Sequence, residues 1–530
     1  MFRFGFFRTK RVVWGWPVDS PGVSPYVRTV KTASGARAVQ VVYSEHRGSK
    51  TLKHVGSAHT DEDLTLLRAK AQEIIEGEQQ SLDLGIDVTP AGTGSKQSPL
   101  AVTGERAGYL IDAITGAYRA LGFDAATDHD SVFADLVMAR LVQPGSKLDS
   151  VETLSEIGVA SASYATIKRR LPSYAEPGFR DRLTAASAAH AGIGPGVMVL
   201  FDVTTLYFET DEPDDFRKPG FSKERRLEPQ ITVGLLADAS GFPLAVGAFE
   251  GNLAETRTML PMLERFAGTY NVDDITVVAD AGMFSDGNKK AIVDAGLHYI
   301  LGVRTPDVPY PLQAWRKANP EAEYTDGQIW STADRSGRGP DGVPHSITYY
   351  QYSWDRARRT LKGISEQVDK AEKAVAGKIA IKRNRFVDLK APKKQVNWAL
   401  VEKNRALAGV KGYQTSRVDL TAEQVISAYR QLLKIEKTFR MSKSDLKARP
   451  IYHHTRQSIE AHLTVVMAAM AVGHLLEQRS GVSIKRLVRT LKRYRTFELT
   501  IAGQTVHAAS PVPTEIADLI DRLNAPDLPH

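Results

Sequence analysis

The chain has 530 residues, a formal net charge of +8, a pI near 9.2 and no cysteine. That length exceeds what a single core serves and implies three or four domains; the lack of cysteine excludes disulfides, thiolate zinc sites and a cysteine nucleophile, and fits a reducing cytosol. A hydrophobic share of 42% with 25% charged residues is ordinary for a globular chain, and the basic balance favours a polyanionic partner.

The opening stretch, MFRFGFFRTKRVVWGW, is basic and aromatic but lacks the continuous apolar run and small-residue cleavage site of a signal peptide. Residues 26–56 alternate in strand fashion, with Ser34-Gly35 as a turn. Arg28, Lys31, Arg37, Arg47, Lys50 and Lys53 decorate this segment, which reads equally as a small basic sheet touching DNA phosphates or as a solvated edge. Residues 61–78 read as a helix with Thr60 as its cap, and 89–99 as a linker rich in Gly, Pro and Ser. Helices dominate 107–189, where Phe133, Leu136, Val137 and Leu141 share one face before Pro144-Gly145. Residues 161–171, SASYATIKRRL, form a short helix ending in Lys168, Arg169 and Arg170. It is a candidate recognition helix, or simply a helix end whose cations complement the dipole.

The stretch 197–209, VMVLFDVTTLYFE, begins with the apolar run of a buried central strand, and Asp202 sits inside it. A buried carboxylate normally has a partner or a metal, because leaving it unpaired is costly. Strands follow at 231–237 and 243–249 around the turn 238–241; then come a helix at 255–266 that Pro261 would kink, and a strand at 275–279 ending on Asp280. A helix at 285–295 capped by Ser285 and a strand at 298–303 complete the series. Three strands, helix, strand, helix, strand resembles a ribonuclease H-like core whose closing helix lies later in the chain.

Proline, tryptophan and tyrosine rise over 305–420, with strand-like pieces at 346–354 and 398–401 around a basic helix-like piece at 357–381, which reads as an inserted β-rich domain. Thr421 caps a helix, with Gln424 completing a capping box, that runs through Glu436 to about 440–443. Arg449-Pro450 breaks the chain before a helix at 455–476, whose apolar run is interrupted by His474 and flanked by His462 and Glu477; it reads as a buried helix and not a membrane span. A basic helix at 483–494 and an end with several prolines finish the chain, and no solenoid-length repeat is visible. The fold class is thus α/β, with these domains: 1–95 a basic β/α domain, 100–190 a helical DNA-binding or dimerisation domain, 196–304 the first part of the core, 305–420 the insertion, 421–480 the second part of the core, and 481–530 a basic tail.

Two strand-end aspartates, Asp202 and Asp280, and the helical Glu436 suggest a site that holds divalent metal through oxygen ligands. Asp202 would bridge two ions, with Asp280 and Glu436 completing one side each. Asp238, Asp286 and Glu209 are the rival acids; His453, His454 and His462 are set aside, since a histidine pair without matched partners is more often structural and Mg²⁺ favours oxygen.

The segments around these acids resemble the DDE transposases of bacterial insertion sequences, more narrowly the insertion-sequence-four group with an inserted β-rich domain. That group's signature is tyrosine, two residues, arginine, three residues, glutamate, six residues, lysine. Tyr429, Glu436 and Lys443 fall on it, while Leu432 stands at the arginine position and Arg430 lies two places away. The resemblance implies a ribonuclease H-like fold with Asp202, Asp280 and Glu436 as catalytic and metal-binding residues for two Mg²⁺ ions, Mn²⁺ substituting. It further implies cutting at terminal inverted repeats and joining of the 3′-OH to target DNA. Lys443, Arg430 and Tyr429 would touch DNA, and one of Trp315, Trp330, Trp354 and Trp398 would stack an extruded base if a hairpin forms. The implied partners are double-stranded DNA, as element ends and target, and a second copy in a homodimer, with no membrane, in the bacterial cytoplasm at the nucleoid. A ribonuclease H-like nuclease that cuts without integrating, and a catalytically idle DNA-binding derivative, are the alternatives.

Overall fold

The structure, a computed structural model, describes residues 26–32, 35–44, 50–78, 99–208, 212–220, 228–254, 257–270, 272, 274–283, 285–334, 345–380, 384–388, 394–448, 451, 453–501 and 504–525. The basic opening stretch, Ser34, Arg47, the linker up to residue 98, Glu209 and Arg449-Pro450 lie outside the described residues. The chain divides into two units, Met1–Pro90 and Ala91–His530.

In the first unit β1 (Tyr26–Lys31), β2 (Arg37–Ser44) and β3 (Lys50–Ala58) form an antiparallel meander, one strand more than a hairpin, followed by α1 (Asp61–Glu78). Alternation sends Val39 and Val41 of β2 inward against Ala71 and Ile75 of α1. The Thr60 hydroxyl caps α1 by accepting from the Asp63 backbone N–H at 3.1 Å. Arg28, Lys31 and Lys53 are exposed, and Arg37 pairs with Asp61.

The second unit opens with β4 (Val102–Arg106) and then the helices α2 (Gly108–Ala120), α3 (Phe123–Ala126), α4 (Ser131–Val142), α5 (Lys147–Glu156), α6 (Tyr164–Arg170) and α7 (Pro177–His190). Asp130, Ser146 and Ser163 cap α4, α5 and α6, so each helix starts where a side-chain oxygen satisfies an orphan N–H. Phe133, Leu136, Val137 and Leu141 of α4 are all buried.

The core follows as β5 (Met198–Tyr207), β6 (Gln230–Ala237), β7 (Pro243–Glu250), α8 (Met259–Tyr270), β8 (Thr276–Ala279), α9 (Asp286–Asp294) and β9 (His298–Val303). Strands β5, β6 and β7 pair antiparallel, β8 lies parallel beside β5, and β9 parallel beside β8. This is the mixed, ribonuclease H-like arrangement that the element order predicts. Pro261 falls in the first turn of α8, where a missing N–H breaks no helix bond, so no kink is needed.

The segment between the core's two parts contributes α10 (Tyr310–Ala318), β10 (Ile329–Asp334), β11 (Ser346–Tyr352), α11 (Trp354–Val375), the short pair β12 (Val387–Asp388) and β13 (Gln395–Val396), α12 (Trp398–Ala406) and β14 (Val410–Thr415). Strands β14, β11 and β10 continue the core sheet beyond β9, giving eight strands in the order β10-β11-β14-β9-β8-β5-β6-β7. Residues 398–401, read as a strand from their Trp and Val, instead open α12, because Asn397 caps it by accepting from the Leu400 N–H at 3.0 Å. Val401 then packs with Ile364, Val368 and Ala371 of α11 in a small separate core.

After this come α13 (Ala422–Arg430), α14 (Leu432–Arg440), a π-helical turn at Met441–Asp445, α15 (Arg456–Ser480), α16 (Ile484–Leu491), β15 (Thr496–Ile501), β16 (Gln504–Ala509) and α17 (Thr514–Asn524). Thr421 and Gln424 form the expected capping box. The single helix expected through Glu436 is interrupted at Gln431, where the Lys434 N–H turns tightly to the Gln431 carbonyl at 2.8 Å. The C-terminal segment is no tail: β15 and β16 join β4 in a three-stranded sheet, and Leu519 and Leu523 of α17 enter the main core.

Helix α15 ties the unit together, packing against α2, α4, α7 and β7. By length and composition it is the one helix among the described residues able to cross a membrane, yet 89% of its apolar window is buried inside the protein. One hydrophobic cluster runs from Leu110 through Phe201 and Leu463 to Leu523, so the expected boundaries near 190 and 480 do not separate cores. Leu463→Ala, at a buried position of α15, is expected to destabilise this unit by about 2–5 kcal/mol, read as a fall in the urea midpoint.

Candidate active site

The geometry of the site is set by strand pairing. β5 and β8 are in parallel register, Met198 with Thr276, Val199 with Val277 and Leu200 with Val278. Asp202 and Asp280 each stand two residues beyond the last of these pairs, so the period of a strand puts them at matching positions on one face. Alternation also decides which face. Gly234 of β6, opposite Val203, leaves room for Met262 of α8, whose sulfur would lie 2.6 Å from a Cβ there, with Phe201 beside it at 3.2 Å. Phe201 and Val203 therefore face α8, and Asp202 between them is turned away from it. Asp202 is half-buried within the strand and not at its end, and its Oδ1 accepts from the Val203 N–H at 2.8 Å.

Asp280, just past β8, is exposed, and its Oδ1 accepts from the Tyr429 hydroxyl at 2.6 Å. Tyr429 reaches it because Gly302 of β9 has no side chain: a Cβ there would sit 2.5 Å from Tyr429 Oη and 3.0 Å from its ring. The ring packs edge-on against Tyr413 of β14, centroids 5.1 Å apart. Burial, then the hydrogen bond to Asp280, push the phenol pKa well above its ordinary value, so Tyr429 stays a neutral donor. At 7% exposed and hydrogen-bonded to Asp280, Tyr429 is a buried strut for that acid.

Glu436 is exposed on α14, which packs against β5. Two bonds clip that helix to the β6–β7 turn: the Thr438 hydroxyl donates to the Gly241 carbonyl at 2.7 Å and Lys434 Nζ to the Ala239 carbonyl at 3.1 Å. Lys443, seven residues on from Glu436, is half-buried in the π-helical turn, which departs from regular α spacing and so changes the direction in which Lys443 leaves the helix. Arg430 is exposed and donates to Gln351 Oε1 of β11 at 3.1 Å, tying α13 to the extended part of the sheet.

One residue of this neighbourhood has no signal in the sequence, since a strand lysine is ordinarily a solvated one. Lys411 of β14 is half-buried, with Nζ 4.3 Å from the Tyr429 ring centroid. Burial holds its ammonium pKa below the usual value; Asp280 pulls it up, Arg356 pushes it down and Glu436 pulls it up again. A single cation thus feels both acids.

Carboxylates at matching positions on adjacent strands are hard oxygen donors of the kind Mg²⁺ or Mn²⁺ takes, so the donor chemistry fits a divalent cation. The set is not closed, for no three His, Asp or Glu side chains among the described residues converge closely enough to hold one ion. The rival acids are accounted for otherwise: Asp238 Oδ1 accepts from the Ser240 and Phe242 N–H groups of its turn, both at 2.8 Å, and Asp286 is exposed beside Lys289 at 3.0 Å. Lys168, Arg169 and Arg170 are exposed at the end of α6, with Arg170 3.7 Å from Asp130. Trp315 and Trp330 are packed with Tyr324, whereas Trp354 and Trp398 are exposed.

Residues 194–472, more than half of the chain, match the transposase DDE domain. The chain belongs to that family, whose activity is nucleotidyl transfer on DNA with divalent metal ions. No curated protein matches it. Among solved structures it is similar to a piggyBac transposase in a synaptic complex with hairpin DNA, at 10% identity and a TM-score of 0.37, over 80% of this chain and 83% of that one.

Gly302→Ala is expected to displace the Tyr429 ring and break its bond to Asp280, costing about 1–3 kcal/mol, whereas Tyr429→Phe, which keeps the ring, costs about 0.5–1.5 kcal/mol; parallel urea unfolding of the two variants gives the order.

Proposed function

We propose that the protein is a transposase of the insertion-sequence-four type that cuts element ends at terminal inverted repeats and joins the freed 3′-OH to target DNA. Asp202, Asp280 and Glu436 are its metal-binding carboxylates. The observation that carries this reading is the parallel register of β5 and β8, which gives two far-separated aspartates matching positions on one face. Divalent cations bound there, two Mg²⁺ or Mn²⁺, would activate the attacking oxygen and relieve charge on the leaving one.

The chain's own residues set the stage for both steps. Tyr429 fixes the rotamer of Asp280, the clips on α14 fix Glu436, and Lys443 and Lys411 would supply positive charge for the DNA backbone. In the first step water oxygen bonds to phosphorus and the element's 3′ oxygen leaves as a hydroxyl; in the second that hydroxyl attacks a target phosphate and the target's 3′ oxygen leaves. Arg430 and the α6 cations Lys168, Arg169 and Arg170 would hold DNA backbone. Trp354 and Trp398, being exposed, are the candidates for stacking an extruded base. Two ends processed together call for a homodimer, acting at the bacterial nucleoid in the cytoplasm. A nuclease without joining activity is the second reading, favoured by the same acids.

Incubating the protein with labelled element ends, target plasmid and Mg²⁺ separates the two: joined product supports transposition, and cut ends alone support the nuclease. Asp202→Ala, Asp280→Ala and Glu436→Ala are each expected to lower cleavage by at least roughly 100-fold while end binding, read by gel shift, changes little; a variant that nicks at near-normal rate leaves the site. Lys168→Ala is expected to weaken binding equally across sequences and to reduce the slope of log affinity against log salt by about one.

A further inference from the structure

Helix α14 carries three cations, Lys434, Lys437 and Arg440, and the fold uses two of them. Lys434 is clipped to the Ala239 carbonyl, and Lys437 Nζ lies 3.3 Å from Glu477 Oε2 of α15. Arg440 is exposed and, among the described residues, makes no hydrogen bond, ion pair or ring contact. It follows Glu436 by four residues, so the two share one stripe of the helix with Leu433, which is 69% exposed. Leu432, Ile435 and Phe439, on the inner side, are buried. Regular α spacing holds as far as Arg440, and the π-helical turn begins only at Met441. Arg440 therefore lies about 6 Å along the axis from Glu436. Its Cβ tilts back toward the helix N-terminus, which is toward Glu436.

Two ordinary explanations of such an arginine fit poorly. A cation in a last helical turn complements the dipole, but here the backbone stays helical through Met441–Asp445, so the open carbonyls come later. An arginine four residues after a glutamate is well placed to pair with it, yet among the described contacts Glu436 and Arg440 form no ion pair. Each is left for something outside the fold, the carboxylate for a cation and the guanidinium for an anion. The nearby positions that could have carried this charge do not: Leu432, at the signature's arginine position, is a buried leucine, and Arg430 is tied to Gln351 of β11.

We propose that Arg440 is a catalytic residue whose guanidinium holds the scissile phosphate of the DNA beside Glu436. As the attacking oxygen bonds to phosphorus, negative charge builds on the non-bridging oxygens of that phosphate, and a guanidinium offers them two parallel N–H donors. That charge is greater in the transition state than in bound DNA, so the contact lowers the barrier more than it tightens binding. The inference rests on the reading of Glu436 as a metal-binding carboxylate of a DNA transposase.

The test uses the full chain, Mg²⁺ and a labelled duplex carrying the element end, with single-turnover cleavage at saturating protein and gel-shift affinity measured separately. Arg440→Gln is expected to slow cleavage roughly 100-fold, while affinity falls less than about five-fold and the urea midpoint stays at the wild-type value. Arg440→Lys recovers part of the rate. Lys437→Gln, which removes the same charge from the same helix, keeps the wild-type rate. Cleavage by Arg440→Gln at a near-wild-type rate, or lost affinity with an unchanged saturated rate, makes Arg440 a surface cation or a plain backbone contact and overturns the inference. An equal slowing by Lys437→Gln, or a lowered urea midpoint for Arg440→Gln, overturns it too, by marking a general charge effect or a structural role. If the wild type cuts only supercoiled plasmid in Mn²⁺, the same comparison is made on that substrate. A wild type that cuts neither removes the active-site reading and Arg440 with it, whereas a wild type that cuts no faster than Arg440→Gln removes Arg440 alone.

Discussion

The parallel pairing of β5 with β8 is the constraint on which the rest depends. A strand fixes its side chains to alternate faces, so once Leu200 and Val278 are neighbours, the carboxylates two residues on are committed to matching positions. The apolar parts of both strands are buried, with Val199, Phe201, Val277 and Ala279 all at 0% exposure. A slip of one residue would send an aspartate into that core, and this cost makes the register hard to change. The polar site inherits its position from the apolar core beneath it.

The sheet's extension adds a second layer of control. Because β14 pairs with β9, Tyr413 and Lys411 arrive beside Tyr429, and Gly302 of β9 leaves the gap through which Tyr429 reaches Asp280. Arg430 and Gln351 tie α13 to β11 across the same boundary. The segment that separates Asp280 from Glu436 in sequence therefore buttresses Tyr429, and through it Asp280, in space, while its outer part, built around Ile364, Val368 and Val401, keeps a small core of its own.

Much of this was legible in the chain. The apolar runs of β5 through β9, the Thr421–Gln424 capping box and the apolar length of α15 each announce an element by local chemistry, and in the core the element order sufficed for the topology. What local chemistry does not encode is pairing between distant segments. Nothing in VKGYQT places Lys411 near Asp280, and nothing in TFELTI says that β15 joins β4 some four hundred residues earlier. The residues 398–401 misled because β-favouring side chains were read without the Asn397 cap that starts a helix. Tyr429 was found by its spacing from Glu436, but its bond to Asp280 was not, since nothing local to either residue encodes that meeting. Likewise the histidines His453 and His462 carry no sign of the cations Arg140 and Lys147, contributed from the other end of the unit.

The central claim is that Asp202 and Asp280 share a divalent cation. The most direct measurement is anomalous diffraction from crystals of the protein grown with Mn²⁺ and a duplex carrying the element end. The account predicts an anomalous peak in direct contact with a carboxylate oxygen of Asp202 and one of Asp280. A Mn²⁺ peak against the DNA that touches neither aspartate would contradict it.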